Sequence, residues 1–187
     1  MSIPPRRYTI ADLEQLPDDG SRYELLDGQL LVTPQAKVSH QLIASRLGFM
    51  LASFLGDDGP AFVVGPGEVQ QGNATHLEPD VLVLPREHIR LTDQEPVLHW
   101  KHFRGHWLAV EIVGRHSRGT DRGIKRQAYH DLGIEEVWIV DHREQLIERS
   151  KWGSSKMEFL RTSLVWRPLG MSRELMIDLP RLFRAPQ

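Results

Sequence analysis

Hydrophobic positions along the chain fall into short runs with two different periods, and the periods sort them into strands and helices. The clearest helix is 39-SHQLIASRLGFMLASFL-55, where Ile43, Leu47, Met50, Leu51 and Phe54 recur at the spacing that keeps one face apolar. A shorter helix is predicted over 9-TIADLEQL-16, with Thr9 as N-cap and Asp12 three residues on. A third is predicted over 121–132, with Ile124, Ala128 and Leu132 on one stripe and Gly133 as its stop signal. The segment 22-RYELLDGQLLVT-33 has the form of a β-hairpin turning at Asp27-Gly28, a dipeptide that tolerates positive φ. AFVVG and EVQQG (61–72) are two short strands around Gly65-Pro66-Gly67. VLVL (81–84), WLAVEIV (107–113) and EVWIV (136–140) are nearly unbroken apolar runs, as in strands covered on both faces. EQLIERS (144–150) and KMEFLRT (156–162) alternate like a hairpin around Trp152-Gly153, and ELMIDLP (174–180) with Leu182-Phe183 can cap the core. Residues 85–106 show no period and are expected to form a long loop or partial helix. With no repeat or linker, residues 1–187 are expected to form one α/β domain.

Composition narrows the function classes. The chain has 187 residues, 40% hydrophobic and 26% charged, as in a globular protein with a sizeable core. No apolar run approaches a membrane span and the N-terminus lacks a signal-peptide pattern, so the expected location is the cytoplasm. The absence of cysteine excludes thiolate metal sites and thiol nucleophiles. A net charge of −2 provides no global field for nucleic acid. Locally, residues 101–126 carry seven Lys/Arg against Glu111 and Asp121, a patch able to steer an anionic ligand.

Two acids stand out against the apolar runs: Asp80, after Pro79 at the mouth of one strand, and Glu111 within another. If those strands are neighbours, both carboxylates reach one sheet edge. With a backbone carbonyl they make a hard oxygen site suited to Mg²⁺ or Mn²⁺. Lys125 is the candidate cation for stabilising charge developing on a phosphate.

The ordered series 23-YELLDGQLLV-32, His40, 79-PDVLVL-84, 110-VEIV-113, Asp121 and Lys125, Tyr129, 133-GIEEVWIVD-141 and 147-IERSKWG-153 resembles the Uma-type family of restriction endonucleases within the PD-(D/E)xK nuclease superfamily. The resemblance runs from about Tyr8 to Trp152. It implies a restriction-endonuclease-like mixed β-sheet flanked by helices, with hairpins toward both ends. It also implies a Mg²⁺-dependent endonuclease that hydrolyses DNA phosphodiester bonds and leaves a 5′-phosphate. Asp80 and Glu111 would be metal ligands, with the Ile112 carbonyl as a third. Glu24 would support the site, and Lys125 would take the place of the superfamily's lysine. His40 would be a phosphate contact or general acid/base. Arg115, Arg118, Arg122 and Arg126 would contact nucleic-acid phosphates. A homodimer would suit cutting of two strands. The sequence departs from the plain pattern in two places. The lysine expected two residues after the second acid is Val113, and the loop after Glu111 reads 114-GRHSRGT-120.

Plainer roles stand beside each of these. Asp80 can cap a turn or pair with an arginine. Glu111 can form an internal ion pair with Lys125, and Lys125 a helical pair with Asp121. Glu24 can be a solvent-facing strand residue, and His40 a packed one. The arginines can line a solvated face. His99, His102 and His106 lack a standard zinc spacing, and Trp100, Phe103 and Arg104 among them can stack on nucleic acid or edge the core. Two competing functions follow: a catalytically weak nucleic-acid- or partner-binding module, and a hydrolase of small phosphate esters.

Overall fold

The computed structural model describes residues 6–87, 105–113, 120–168 and 170–185. Its centre is a six-stranded sheet in the order β10-β9-β8-β7-β6-β3. The strands are β3 (Ala61–Val64), β6 (Val81–Pro85), β7 (Leu108–Val113), β8 (Glu136–Asp141), β9 (Leu146–Lys151) and β10 (Met157–Leu160). Only β7 and β8 run parallel; the other neighbours are antiparallel. β6, β7 and β8 are buried along their whole length, as their unbroken apolar runs predict for strands covered on both faces.

Alternation along each strand divides the core in two. Val81, Val83, Leu108, Val110 and Ile112 face α2 (Val38–Leu55) and its stripe Ile43, Leu47, Leu51 and Leu55. Met50 and Phe54, expected on the same face, are partly buried against this core. The C-terminal part packs here too. β11 (Ser163–Trp166) pairs with β12 (Leu175–Asp178), and α4 (Leu179–Leu182) follows. Trp166 meets Trp138 edge-on at 5.9 Å. On the opposite face, Leu82, Ala109, Val113, Val137 and Ile139 pack on Ala128, Tyr129, Leu132 and Ile134.

A second sheet, in the order β2-β1-β5-β4, covers part of that opposite face. It contains the predicted hairpin of β1 (Arg22–Leu26) and β2 (Gln29–Thr33), with positive φ at Asp27 and Gly28 in the turn. β5 (Thr75–Leu77), which hydrophobic pattern alone did not indicate, joins β1 to β4 (Val69–Gln71). The two strands around Gly65-Pro66-Gly67 therefore belong to different sheets. α1 (Ile10–Leu13) has the predicted capping box from Thr9 and Asp12 but is a single turn.

The helix expected over 121–132 begins differently. Thr120–Lys125 form a π-helical turn, which continues into α3 (Arg126–Asp131). The wider turn shifts the phase of what precedes α3. Ile124, expected on the buried stripe with Ala128 and Leu132, is 49% exposed, and Lys125 is buried instead. Gly133 ends the helix with φ +82°, as predicted. Among the described residues, no helix is long and apolar enough to cross a membrane.

Candidate active site

The site forms where the second sheet meets one end of β6 and β7. Val81 is registered against Val110, so continuing the antiparallel ladder by one residue sets Asp80 across from Glu111 on the same face. The backbone N–H of Ile112 donates to Asp80 Oδ2 at 2.7 Å, which fixes the carboxylate at the strand tip. β1 brings in Glu24, which is wholly buried rather than solvent-facing, and its Oε1 accepts from the Glu78 N–H at 2.8 Å.

Lys125 reaches this cluster from the end of the π-helical turn. Its Nζ lies 2.7 Å from Glu24 Oε2 and 3.0 Å from Glu111 Oε1. Tyr129, one turn further on, donates its hydroxyl to Glu111 Oε1 at 2.5 Å. Val113, which stands where the plain pattern has lysine, points to the same face as Glu111 but is packed in the apolar cluster with Tyr129. The cation is therefore supplied from the helix side rather than the strand.

Asp80 has partners of its own: Arg22 Nη1 on Oδ1 at 2.9 Å and His40 Nε2 on Oδ2 at 2.9 Å. Three buried carboxylates thus face Arg22, Lys125 and, when protonated, His40. Burial works against ionisation of Asp80. The His40 hydrogen bond and charge, the Arg22 charge and the Ile112 N–H outweigh it and hold Asp80 below the usual carboxylate range. Burial likewise opposes the charge on Arg22, but the Asp80, Glu111 and Glu24 carboxylates overcome it and keep the guanidinium ionised. Burial first, then the charges of Glu111 and Glu24, raise Tyr129 well above an ordinary phenol, so it remains a hydrogen-bond donor.

Among the residues expected at the site, Glu24, His40, Asp80, Glu111 and Lys125 come together. The plainer partners of Asp80 and Glu111, an arginine and Lys125, are part of the same assembly. Arg122 and Arg126 are half-buried and paired with acids. Arg122 contacts Asp141 at 2.6 Å and Glu148 at 3.0 Å, and Arg126 lies 3.6 Å from Glu148. Carboxylates of β8 and β9 thus pair with these guanidinium groups, which stay partly exposed. Arg115, Arg118, His99, His102, Trp100, Phe103 and Arg104 lie outside the described residues. His106 is buried just before β7. Arg22 was missed from sequence although a signal existed, since period two places it on the same strand face as Glu24.

A cleft of about 1190 Å³ opens onto this cluster, lined by Arg22, His40, Glu78 and Ile112 and edged by Lys37 and Arg143. On its far wall His76 lies 3.1 Å from Glu78 and 4.0 Å from Glu68, with Gln70 at 3.0 Å. Burial disfavours the imidazolium, but the Glu78 hydrogen bond and the Glu68 and Glu78 charges win and raise His76 above its ordinary value of about 6.5. A histidine raised on folding stabilises fully below its unfolded value, and this stabilisation is lost as pH rises through the folded value. The melting-temperature gap between wild type and His76→Gln is therefore expected to be wide near pH 5.5 and to narrow toward pH 9. A gap independent of pH would contradict this.

Asp80, Glu111 and the Ile112 carbonyl are hard oxygen donors, the chemistry Mg²⁺ and Mn²⁺ prefer. Among the described residues no three His, Asp or Glu side chains are gathered in ligating geometry, because the carboxylates are closed around their own cations. The donor set fits such an ion, provided it displaces Arg22 or His40 from Asp80.

Residues 10–175 match the model of a family described as putative restriction endonucleases. The chain belongs to the Uma2 family. No curated protein matches it. It is similar to a crystal structure of a putative nuclease belonging to DUF820 from Anabaena variabilis ATCC 29413. The TM-score is 0.78 at 18% identity, covering 94% of this chain and 97% of that one. At that identity the likeness is one of fold, and it bears out the α/β, restriction-endonuclease-like class expected from sequence. Membership in Uma2 supports nuclease function in the broad sense.

Proposed function

We propose that this Uma2 protein is a Mg²⁺- or Mn²⁺-dependent endonuclease that hydrolyses DNA phosphodiester bonds. The observation that carries the proposal is the lysine held between two buried carboxylates at the end of a strand pair, beside a third carboxylate whose partners Arg22 and His40 line a large cleft. Burying this much charge is costly for structure alone.

Asp80, Glu111 and the Ile112 carbonyl would hold the ion, which when bound supplies positive charge to the phosphate and lowers the pKa of a coordinated water. Glu24 orients Lys125 and shares its proton-rich ammonium with Glu111. Lys125, held by Glu24 and Glu111, would face the negative charge that develops on the phosphate oxygens. Arg22, pinned at the cleft wall, binds the same phosphate when it leaves Asp80. His40 stands beside Asp80 to hold a proton near the phosphate.

A second reading has one observation behind it: the carboxylates are already satisfied by the chain's own cations. The protein would then be a nucleic-acid- or partner-binding module of the same fold.

Calorimetric titration of Mn²⁺ separates the two. Wild type is expected to bind one ion per site and Glu111→Gln to bind none, with metal-dependent cutting of DNA in wild type only. Absence of ion binding both with and without DNA, together with no cutting of any DNA or RNA form, would leave the binding module.

A further inference from the structure

A groove of about 360 Å³ lined in part by Asp80 adjoins the large cleft, with which it shares Arg22 and Gln41. Its lining includes Arg22 and Asp80, residues of the acidic cluster. One wall is a stripe of α2, Gln41, Ser45 and Phe49, repeating every four residues beside the stripe that enters the core. The other wall is the end of β3 with Gly65 and Pro66. That wall is locked to the acid's strand, since a Cβ on Gly65 would come within 2.8 Å of the Asp80 carbonyl oxygen. Phe49 is 74% exposed, which is unusual for a phenyl ring with an apolar core one helical face away. Gly48 beside it is a poor helix former in mid-helix, and a Cβ there would meet nothing within 4 Å. The groove is thus kept open by a residue that helix stability alone disfavours.

We infer that this groove is a nucleobase subsite. It would take the base flanking the phosphate at Asp80, with Phe49 as stacking surface and Gln41 and Ser45 as hydrogen-bonding groups for the base edge. The inference rests on the phosphodiesterase reading of the site. A slot with an exposed aromatic, polar side chains along one wall and a guanidinium in its lining matches a nucleotide unit: flat ring, polar edge, phosphate. The base reaches the groove only when it is not stacked within a duplex. The substrate class is therefore DNA with unpaired nucleotides, such as single strands, flaps or gaps, in preference to continuous duplex.

The test uses full-length protein in Ca²⁺, which takes the same oxygen donors, with single-stranded and gapped oligonucleotides carrying 2-aminopurine at successive positions. Metal-dependent cutting by wild type and Glu111→Gln is measured alongside. In wild type, fluorescence is expected to quench at one position. Phe49→Ala, at an exposed position, and Gly48→Gln, where a Cβ meets nothing within 4 Å, should lose that quench and bind about tenfold more weakly. Phe159→Ala, an exposed aromatic on β10, should retain it. Wild type that cuts DNA without a position-specific quench, or a quench unchanged in Phe49→Ala, overturns the base subsite and leaves the nuclease reading standing. Wild type that neither binds nor cuts any DNA form overturns both.

Discussion

Lys125→Met is expected to cost about 3–5 kcal/mol of folding stability in EDTA, the scale seen when one partner of a buried ion pair is removed. The ammonium is the shared partner of Glu24 and Glu111, at 2.7 and 3.0 Å, and all three side chains are at most 4% exposed. Methionine fills a similar volume, so the loss is electrostatic rather than a cavity. The Glu78 N–H on Glu24 and the Tyr129 hydroxyl on Glu111 carry no charge, and the Arg22 guanidinium, which makes its ion pairs with Glu78 and Asp80, acts on both acids only from a distance. A divalent ion bound at Glu111 restores positive charge, so Mn²⁺ should stabilise Lys125→Met more than it stabilises wild type. Urea denaturation with and without Mn²⁺ checks both statements. A cost under about 1 kcal/mol would mean that the acids do not depend on this lysine. A large cost that Mn²⁺ does not reduce would leave the cluster as structural ion pairing and remove the case for an ion between Asp80 and Glu111.

How much of this was legible in the sequence depended on which physical signal each residue carried. β6, β7 and β8 announced themselves because burial on both faces requires continuous apolar runs, and an acid within such a run is conspicuous. Asp80 and Glu111 were visible for that reason. Their adjacency was not, since it depends on β6 and β7 pairing in a register that places Val81 opposite Val110. The hairpin was legible from Asp27-Gly28, because a two-residue turn has few chemical solutions. β5 was not, because Thr75–Leu77 is three residues long and follows a loop; its strand character comes from pairing with β1 and β4. The π-helical turn was hidden altogether. A period of 3.6 puts Ile124 inward, and only the wider turn brings Lys125 to the acids. For Arg122 and Arg126 the sequence shows charge but not the acids that the fold brings beside it. Glu148 and Asp141, brought close by the β8-β9 pairing, take up Arg122 and Arg126.

Asp80→Asn is expected to abolish Mn²⁺ binding and to lower metal-dependent cutting by about 10³-fold or more, since several kcal/mol of charge stabilisation would go with the ion. Its effect on stability has a distinct pH signature. The carboxylate accepts from Arg22, His40 and the Ile112 N–H, and asparagine retains only one acceptor oxygen for these donors. The loss should be about 1–3 kcal/mol at neutral pH, because Arg22 is 21% exposed and keeps some solvation and its contact with Glu78. Asp80 has a folded pKa below its unfolded value, so its contribution is present above the ordinary carboxylate range and is lost as pH falls through the lowered folded value. The stability gap between wild type and Asp80→Asn should therefore hold steady from pH 8 to pH 5 and close only in acid. His76→Gln should behave in the opposite sense, with its gap closing as pH rises. If the Asp80→Asn gap instead widened as pH fell from 8 to 5, a partner gaining a proton in that range would be adding to the hold of Arg22 on the acid. If the gap never closed, the loss would lie in packing, and the carboxylate's charge would have no part in keeping this end of β6 in position.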